Sequence, residues 1–306
     1  MTVFEHIAAT LEAGVEHVEA LDGRFLVPAL ILQLGSLVLR SLVWRNVLAA
    51  AYADRHVPVV SVAASYAAGS ALNAFTPGRG GDVVKLLLVR TCIAGSTLAT
   101  IVASFSVLLV LDGVISGGLI SGLWALGVLP ALPAFPSVDA WWLVPVVLAP
   151  LGLALACKVR PRLMRSALAH VAQGLAIVRA PRRYLTTVLP LQLAGWVCRL
   201  GVVFLVLAAF NIHVGIETAV VLVVLNGLAA AIPIPGGGGT QQVLAAYVLA
   251  SVTTVAEAVS FSLSLQLGVT IVNTVGGMFA MLLLVRSHNP LDAVRSGFAL
   301  VRARRY

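Results

Sequence analysis

Four long apolar runs dominate the chain, and between them lie two shorter apolar arms broken by proline and glycine. The runs cover Phe25–Trp44, Ile93–Trp124, Leu185–Phe210 and Ala258–Val285, and after a proline-rich loop at Leu129–Asp139, expected outside, a further apolar span runs from Trp141 and Trp142 to Cys157. A helix needs about 20 apolar residues to cross a hydrocarbon core of roughly 30 Å. The runs lack the strict apolar–polar alternation of a barrel strand, so each is predicted to be a spanning helix. The first broken arm, residues 58–77, meets Pro77-Gly78-Arg79-Gly80-Gly81-Asp82 and resumes over Val83–Val89. The second, Val220–Ala231, meets Pro233-Ile234-Pro235-Gly236-Gly237-Gly238-Gly239 and resumes over Val243–Ala250. Proline cannot continue a helical hydrogen-bond ladder, and glycine takes backbone angles that other residues avoid. Helices therefore break at 77–82 and at 233–240. Interrupted backbone at membrane depth is tolerated only where protein covers it or it lines a wet cavity.

Charge places these elements relative to the membrane. Residues 1–22 hold five carboxylates and no Lys or Arg, whereas the window from Ala140 to Ile216 holds no carboxylate and eight cations, among them Lys158, Arg162, Arg165, Arg179 and Arg183. Lys and Arg collect on the cytoplasmic side, so residues 158–183 and the C-terminal tail are expected there and the N-terminus outside. Arg40, Trp44 and Arg45 are expected at the cytoplasmic end of the first span, snorkelling and anchoring.

The resulting plan is all-α: a polytopic helical membrane protein with two inverted repeats, each carrying a Pro/Gly-broken re-entrant or half-helix hairpin. Residues 1–24 form an N-terminal amphipathic helix, 25–157 the first membrane half, 158–183 a basic amphipathic linker, 184–286 the second half and 287–306 a basic tail. Inside the linker, Leu163, Met164, Ala167, Leu168, Val171, Leu175 and Val178 make an apolar stripe at helical spacing. Two broken segments at corresponding positions of two halves point to a transporter site at their interface.

Composition agrees and narrows the function. The chain of 306 residues is 60% hydrophobic and 10% charged, which excludes a soluble domain. The net charge of +8 accompanies cations that flank apolar runs, so anionic lipid is the expected partner and nucleic acid is not. The three cysteines, Cys92, Cys157 and Cys198, lack metal-ligand spacing and read as small core residues. The histidines lie near predicted surfaces, and no nucleophile–base–acid set is readable. Neither enzyme chemistry nor a metal or cofactor is expected.

The two breaks carry a family resemblance. Arg40-Ser41-Leu42-Val43-Trp44-Arg45, the stretch Asn73–Arg90 with its Pro-Gly-Arg-x-Gly-acid core, and Pro233–Gly239 resemble the lysylphosphatidylglycerol synthase transmembrane-region family, flippase-like integral membrane proteins. Gly276-Gly277 is a weaker match, and the likeness covers about residues 25–285. It implies a protein that moves lipid across the bilayer. Bifunctional members carry a cytosolic domain that attaches an amino acid to phosphatidylglycerol. This chain ends about twenty residues after its last span, so synthase activity is not expected. Asp82 stands where Glu is commoner and Lys85 where Arg is commoner. Thr240-Gln241-Gln242 replaces a stretch where an acid is common.

The candidate substrate-binding residues are Asn73, Arg79, Gly80, Gly81, Asp82, Lys85, Arg199, Gly237, Gly238, Thr240 and Gln241. Gly78–Gly81 leads into a helix start, whose free amides favour an anion. Arg79 offers a forked donor and Lys85 a point charge to a lipid phosphate. The competing reading pairs Arg79 with Asp82 and lets Lys85 snorkel to the surface. Thr240 and Gln241 could contact a sugar or glycerol headgroup; small-residue helix packing is the alternative at that break. Asp112 and Arg199 lie near the centres of apolar runs, where a charge costs at least about 2.5 kcal/mol, so each needs a partner or a cavity. They form either a structural pair or, for Arg199, a substrate contact. Asn226, Gln192, Gln266 and Asn273 read as interhelical glue, and Glu257 as bland.

The expected function is a lipid translocase for an anionic headgroup, polyprenyl-phosphate-linked or an aminoacyl or glycosyl phospholipid. The alternative is a non-transporting subunit that presents lipid to a partner enzyme.

Overall fold

The computed structural model of the protein describes residues 23–73, 76, 80–128, 161–229 and 239–287. The expected N-terminal helix up to Asp22, the loop and span between 129 and 157, and the tail beyond 287 lie outside the described residues. Within them every regular element is helical and no strand occurs.

The order of elements follows the predicted breaks. Helix α1 (Gly23–Ala51) is followed by α2 (Val59–Asn73), α3 (Gly80–Cys92) and α4 (Leu98–Ala125). After α5 (Pro161–Gly174), a 3₁₀ turn (Ala176–Arg179) and α6 (Pro181–Thr187) come α7 (Leu189–Ala209), α8 (Ile216–Ala229), α9 (Thr240–Leu249) and α10 (Val255–Ser287). Thus long, short, short, long appears twice. Four helices are long and apolar enough to cross a membrane: Gly23–Ala51, Leu98–Ala125, Pro181–Ala209 and Val255–Leu282. The 15 residues of α2 and 13 of α3 extend about 22 and 20 Å at 1.5 Å per residue, short of a full crossing. Outward-facing Ile31, Val110, Val197, Ile271 and Phe279 are largely exposed, as lipid-facing side chains are.

Two apolar cores hold the helices. The first gathers Val47, Leu48, Val62, Val89, Ile101 and Phe105 around Trp44. The second gathers Val203, Val221, Leu222, Leu249 and Phe261 around Trp196, and the distal half of α4 joins it through Ile115, Leu119 and Leu123. Helices α1 and α7 lie along each other, α2 packs on α3 and α10, and α8 packs on α9, α7 and α4. The α2–α10 contact uses Gly277, where a Cβ would stand 2.7 Å from Ala71 Cβ and 3.0 Å from the Ala67 carbonyl oxygen.

Trp44 corrects one expectation. It is fully buried rather than interfacial, donates Nε1–H to Ser104 Oγ at 3.2 Å, and meets Phe105 edge-on at 5.3 Å. The first helix runs on to Ala51, so Trp44 sits inside the bundle, where its large ring removes more area from water than any other residue type. Helix α5 docks by its C-terminal end. Gly174 lies against α4, and Gln173 Nε2 donates to the Ala51 carbonyl at 3.0 Å. Its stripe residues Leu168, Val171 and Leu175, with Val178 beyond, remain exposed.

Glu257 has a definite role at the start of α10. Its carboxylate accepts from the Thr254 amide at 3.0 Å, and the Glu257 amide donates to Thr254 Oγ1 at 3.3 Å. This reciprocal capping box satisfies two otherwise orphan donors of the helix end. Glu257→Ala is expected to cost about 1 kcal/mol, read as a lower melting temperature of the purified protein; an unchanged melt would refute the cap.

Candidate functional site

The two helices that flank the first break, α2 and α3, meet through glycines. Gly69 of α2 and Gly81 of α3 meet so closely that a Cβ on Gly81 would stand 2.0 Å from the Gly69 carbonyl oxygen. That approach brings Asn73 and Asp82 together: Asn73 Nδ2 donates to Asp82 Oδ1 at 2.8 Å. Lys85, one turn along α3, donates to the same oxygen at 2.8 Å. Across the break, Thr76 Oγ1 accepts from the Gly81 amide at 3.2 Å. The start of α3 is therefore partly occupied already, by a hydroxyl and by the Asp82 carboxylate in its first turn.

Lys85 does not snorkel. It is 3% exposed, and its ammonium lies 4.3 Å from the Tyr66 ring centroid and 5.7 Å from that of Phe105. Asp82 and two aromatic faces stabilise a charge that the apolar interior would otherwise reject. Arg79 lies outside the described residues, and Asp82 has Lys85 and Asn73 as partners.

A second charge cluster joins the two halves. Asp112 of α4 accepts at Oδ1 from Arg199 Nη2 at 3.1 Å, from Trp196 Nε1 at 3.2 Å and from Gln192 Nε2 at 3.4 Å. These three donors stand four and three residues apart, on one face of α7. The Asp112–Arg199 pair read from the sequence is thus present. Arg40 is the correction: it binds Asp112 Oδ2 from within α1, which runs on to Ala51, and does not stand at the end of its helix. With Asp112 at the same depth, the guanidinium has a partner inside the bundle and need not reach for water. Arg199 also stacks on Trp196, its guanidinium carbon 4.2 Å from the ring. Its Nε is buried without a hydrogen-bond partner among the described residues.

The two clusters open onto one cavity of about 350 Å³. Asn73, Lys85, Arg199 and Gln241 of the candidate residues line it; Gly80, Gly81, Asp82, Asp112 and Thr240 do not. Gly237 and Gly238 lie outside the described residues. Behind the second break, Gly239 takes the left-handed conformation (φ 84°) and α9 begins at Thr240, which aims Gln241 at the cavity. Sequence reasoning missed Arg40, Tyr66 and Ser70 as lining residues. Gln266 and Asn273, read as interhelical glue, do bond between helices, to Gln242 and Gln33, and together with Asn226 they also line the cavity. For Arg40 a signal existed: the apolar pattern continues past it through Val43, Val47 and Leu48, so the helix need not end there.

Four spanning helices, two pairs of shorter ones and a polar chamber between the two cores define a polytopic membrane protein with an internal site. A family model describes it more closely. The chain belongs to the lysylphosphatidylglycerol synthase TM region family, whose model matches residues 9–277. It is thereby a membrane protein of a lipid-related family. No curated protein and no solved structure matches it.

Proposed function

We propose that the protein is a lipid translocase that takes an anionic, phosphate-bearing headgroup into the cavity and leaves the acyl chains in the bilayer. One observation carries this reading: Arg40, Lys85 and Arg199 converge on a single chamber whose walls come from both halves of the chain. Arginine and lysine are the side chains that hold phosphate, by fork and by point charge. In this reading the two broken segments enter from opposite faces, the halves form inverted repeats, and rocking of one half against the other changes which side the chamber faces. The basic linker and tail then lie in the cytoplasm, with the exposed stripe of α5 against the inner leaflet. No step of the cycle makes or breaks a covalent bond.

Reconstitution tests it. Purified protein in liposomes is expected to move a tail-labelled anionic phospholipid between leaflets without a partner protein. Arg199→Gln, which leaves Asp112 paired with Arg40, is expected to slow that movement about tenfold or more, the loss of one charge-assisted contact. Binding of lipid with no movement would instead make the protein a subunit that presents lipid to an enzyme.

A further inference from the structure

The chamber is lined by two chemically different sets of polar side chains, and together they suit one kind of headgroup. This inference rests on the translocase reading and narrows its substrate. One set is Arg40, Lys85 and Arg199, and no described lining residue is a carboxylate. The carboxylates that neutralise these cations stand behind them: Asp82 holds Lys85, and Asp112 holds Arg40 and Arg199 from a small recess beside the chamber. Among the described residues, three cations against two carboxylates leave one positive charge, and the surface they offer to a ligand is cationic.

The other set is neutral: Gln33, Asn226, Gln241, Gln266, Thr270 and Asn273, drawn from α1, α8, α9 and α10. Amides and hydroxyls both donate and accept, which fits hydroxyl groups and offers an ammonium no countercharge. The bonds among these amides leave capacity to spare. Gln33 Nε2 reaches Asn273 Oδ1 only at 3.4 Å, and each amide group carries more donors and acceptors than that bond uses. The volume lies at the low end for small-molecule sites, roughly 300–1,000 Å³. It suits one headgroup and not a whole two-chain lipid.

We propose that the chamber selects lipid phosphodiesters whose headgroup ends in uncharged hydroxyls, a glycerol or a monosaccharide-sized polyol, and discriminates against headgroups that end in an ammonium, such as a lysyl ester or ethanolamine. The phosphodiester binds the Arg40–Lys85–Arg199 set and the polyol binds the amide set. An ammonium drawn into the chamber loses its hydration and finds three cations and no carboxylate among the described lining residues.

The test uses the full chain in phosphatidylcholine liposomes with trace tail-labelled phosphatidylglycerol, phosphatidylinositol, phosphatidylethanolamine or lysylphosphatidylglycerol, each assayed for movement between leaflets. Phosphatidylglycerol and phosphatidylinositol are expected to move at least fivefold faster than the two ammonium lipids. Gln241→Leu combined with Asn273→Leu is expected to bring that ratio toward one, and so is Gln241→Leu alone if the pair does not fold. Equal rates for all four lipids, or faster movement of the ammonium lipids, would overturn the selectivity while leaving the translocase reading intact. If no lipid moves, thermal stabilisation of the detergent-purified protein by the same lipids decides. Preferential stabilisation by the hydroxyl-bearing pair supports the site and removes translocation. Stabilisation by soluble glycerol 3-phosphate alone, or by nothing, overturns the lipid assignment.

Discussion

Asp112→Ala should lower the melting temperature of the protein more than any other single charge removal in the bundle. The carboxylate accepts from Arg40, Arg199, Trp196 and Gln192 at once. Its loss leaves two guanidinium groups facing each other inside apolar helices with nothing to balance them. Removing one partner of a buried ion pair costs about 3–5 kcal/mol. Arg40 is 28% and Arg199 21% exposed to the cavity, so water screens part of the penalty and about 3 kcal/mol is expected. Arg40→Met alone should be milder, because Asp112 keeps Arg199. Replacing the set together, Arg40→Met with Asp112→Leu and Arg199→Met, should restore much of the stability, since apolar residues of similar volume often replace a buried charge cluster without loss. The same triple variant should not move lipid. Thermal denaturation in detergent, followed by circular dichroism, reads the first effect and the liposome assay the second. An Asp112→Ala protein that melts with the wild type would show that the cluster is not a structural unit.

Gly81→Ala should be nearly as damaging, for a steric reason. Its new Cβ would meet the Gly69 carbonyl oxygen at 2.0 Å, the Asn73 amide nitrogen at 2.6 Å and Asn73 Oδ1 at 2.7 Å. Two of those three atoms are backbone and cannot rotate away. Helices α2 and α3 would have to separate, which shifts Asn73 and Lys85 and so deforms the cationic set. Overpacking of a core costs about 1–3 kcal/mol when side chains can adjust; against backbone the upper end or more is expected. Gly117→Ala is the matched comparison, since nothing lies within 4 Å of a Cβ there. Alanine is the better helix former by about 1 kcal/mol, so that variant should melt at the wild-type temperature or slightly above. Equal melts for the two variants would remove the close crossing of α2 and α3.

Several features of this site could be read from the chain before any fold was known, because their causes are local. The breaks near 77 and 233 follow from proline and glycine, and helices α3 and α9 begin within a few residues of where they were expected. Asp112 and Arg199 announced that each needed a partner, because a lone charge in an apolar run is costly. Lys85 is the intermediate case: a lysine one turn past a helix start can snorkel or stay inside, and only the Tyr66 and Phe105 rings beside it decide for burial. Arg40 is the opposite case. An arginine followed by Trp44 and Arg45 looks like the end of a span, and the sequence around it does not say that Asp112, 72 positions on, lies at the same depth.

The amino-acid order by itself determined that this protein is a bundle of membrane helices, where those helices are interrupted, and which of its charges lie in apolar surroundings. Hydrophobic run length, proline and glycine settle those matters residue by residue. Only the packed structure decided that Arg40 and Arg199 share one carboxylate, that three cations and a set of amides face a common chamber, and that Trp44 belongs to a core. Those outcomes depend on how far one helix slides and rotates against another. That is fixed by contacts summed over whole interfaces, such as Gly69 on Gly81 and Gly277 on Ala67 and Ala71, and no short stretch of chain encodes it.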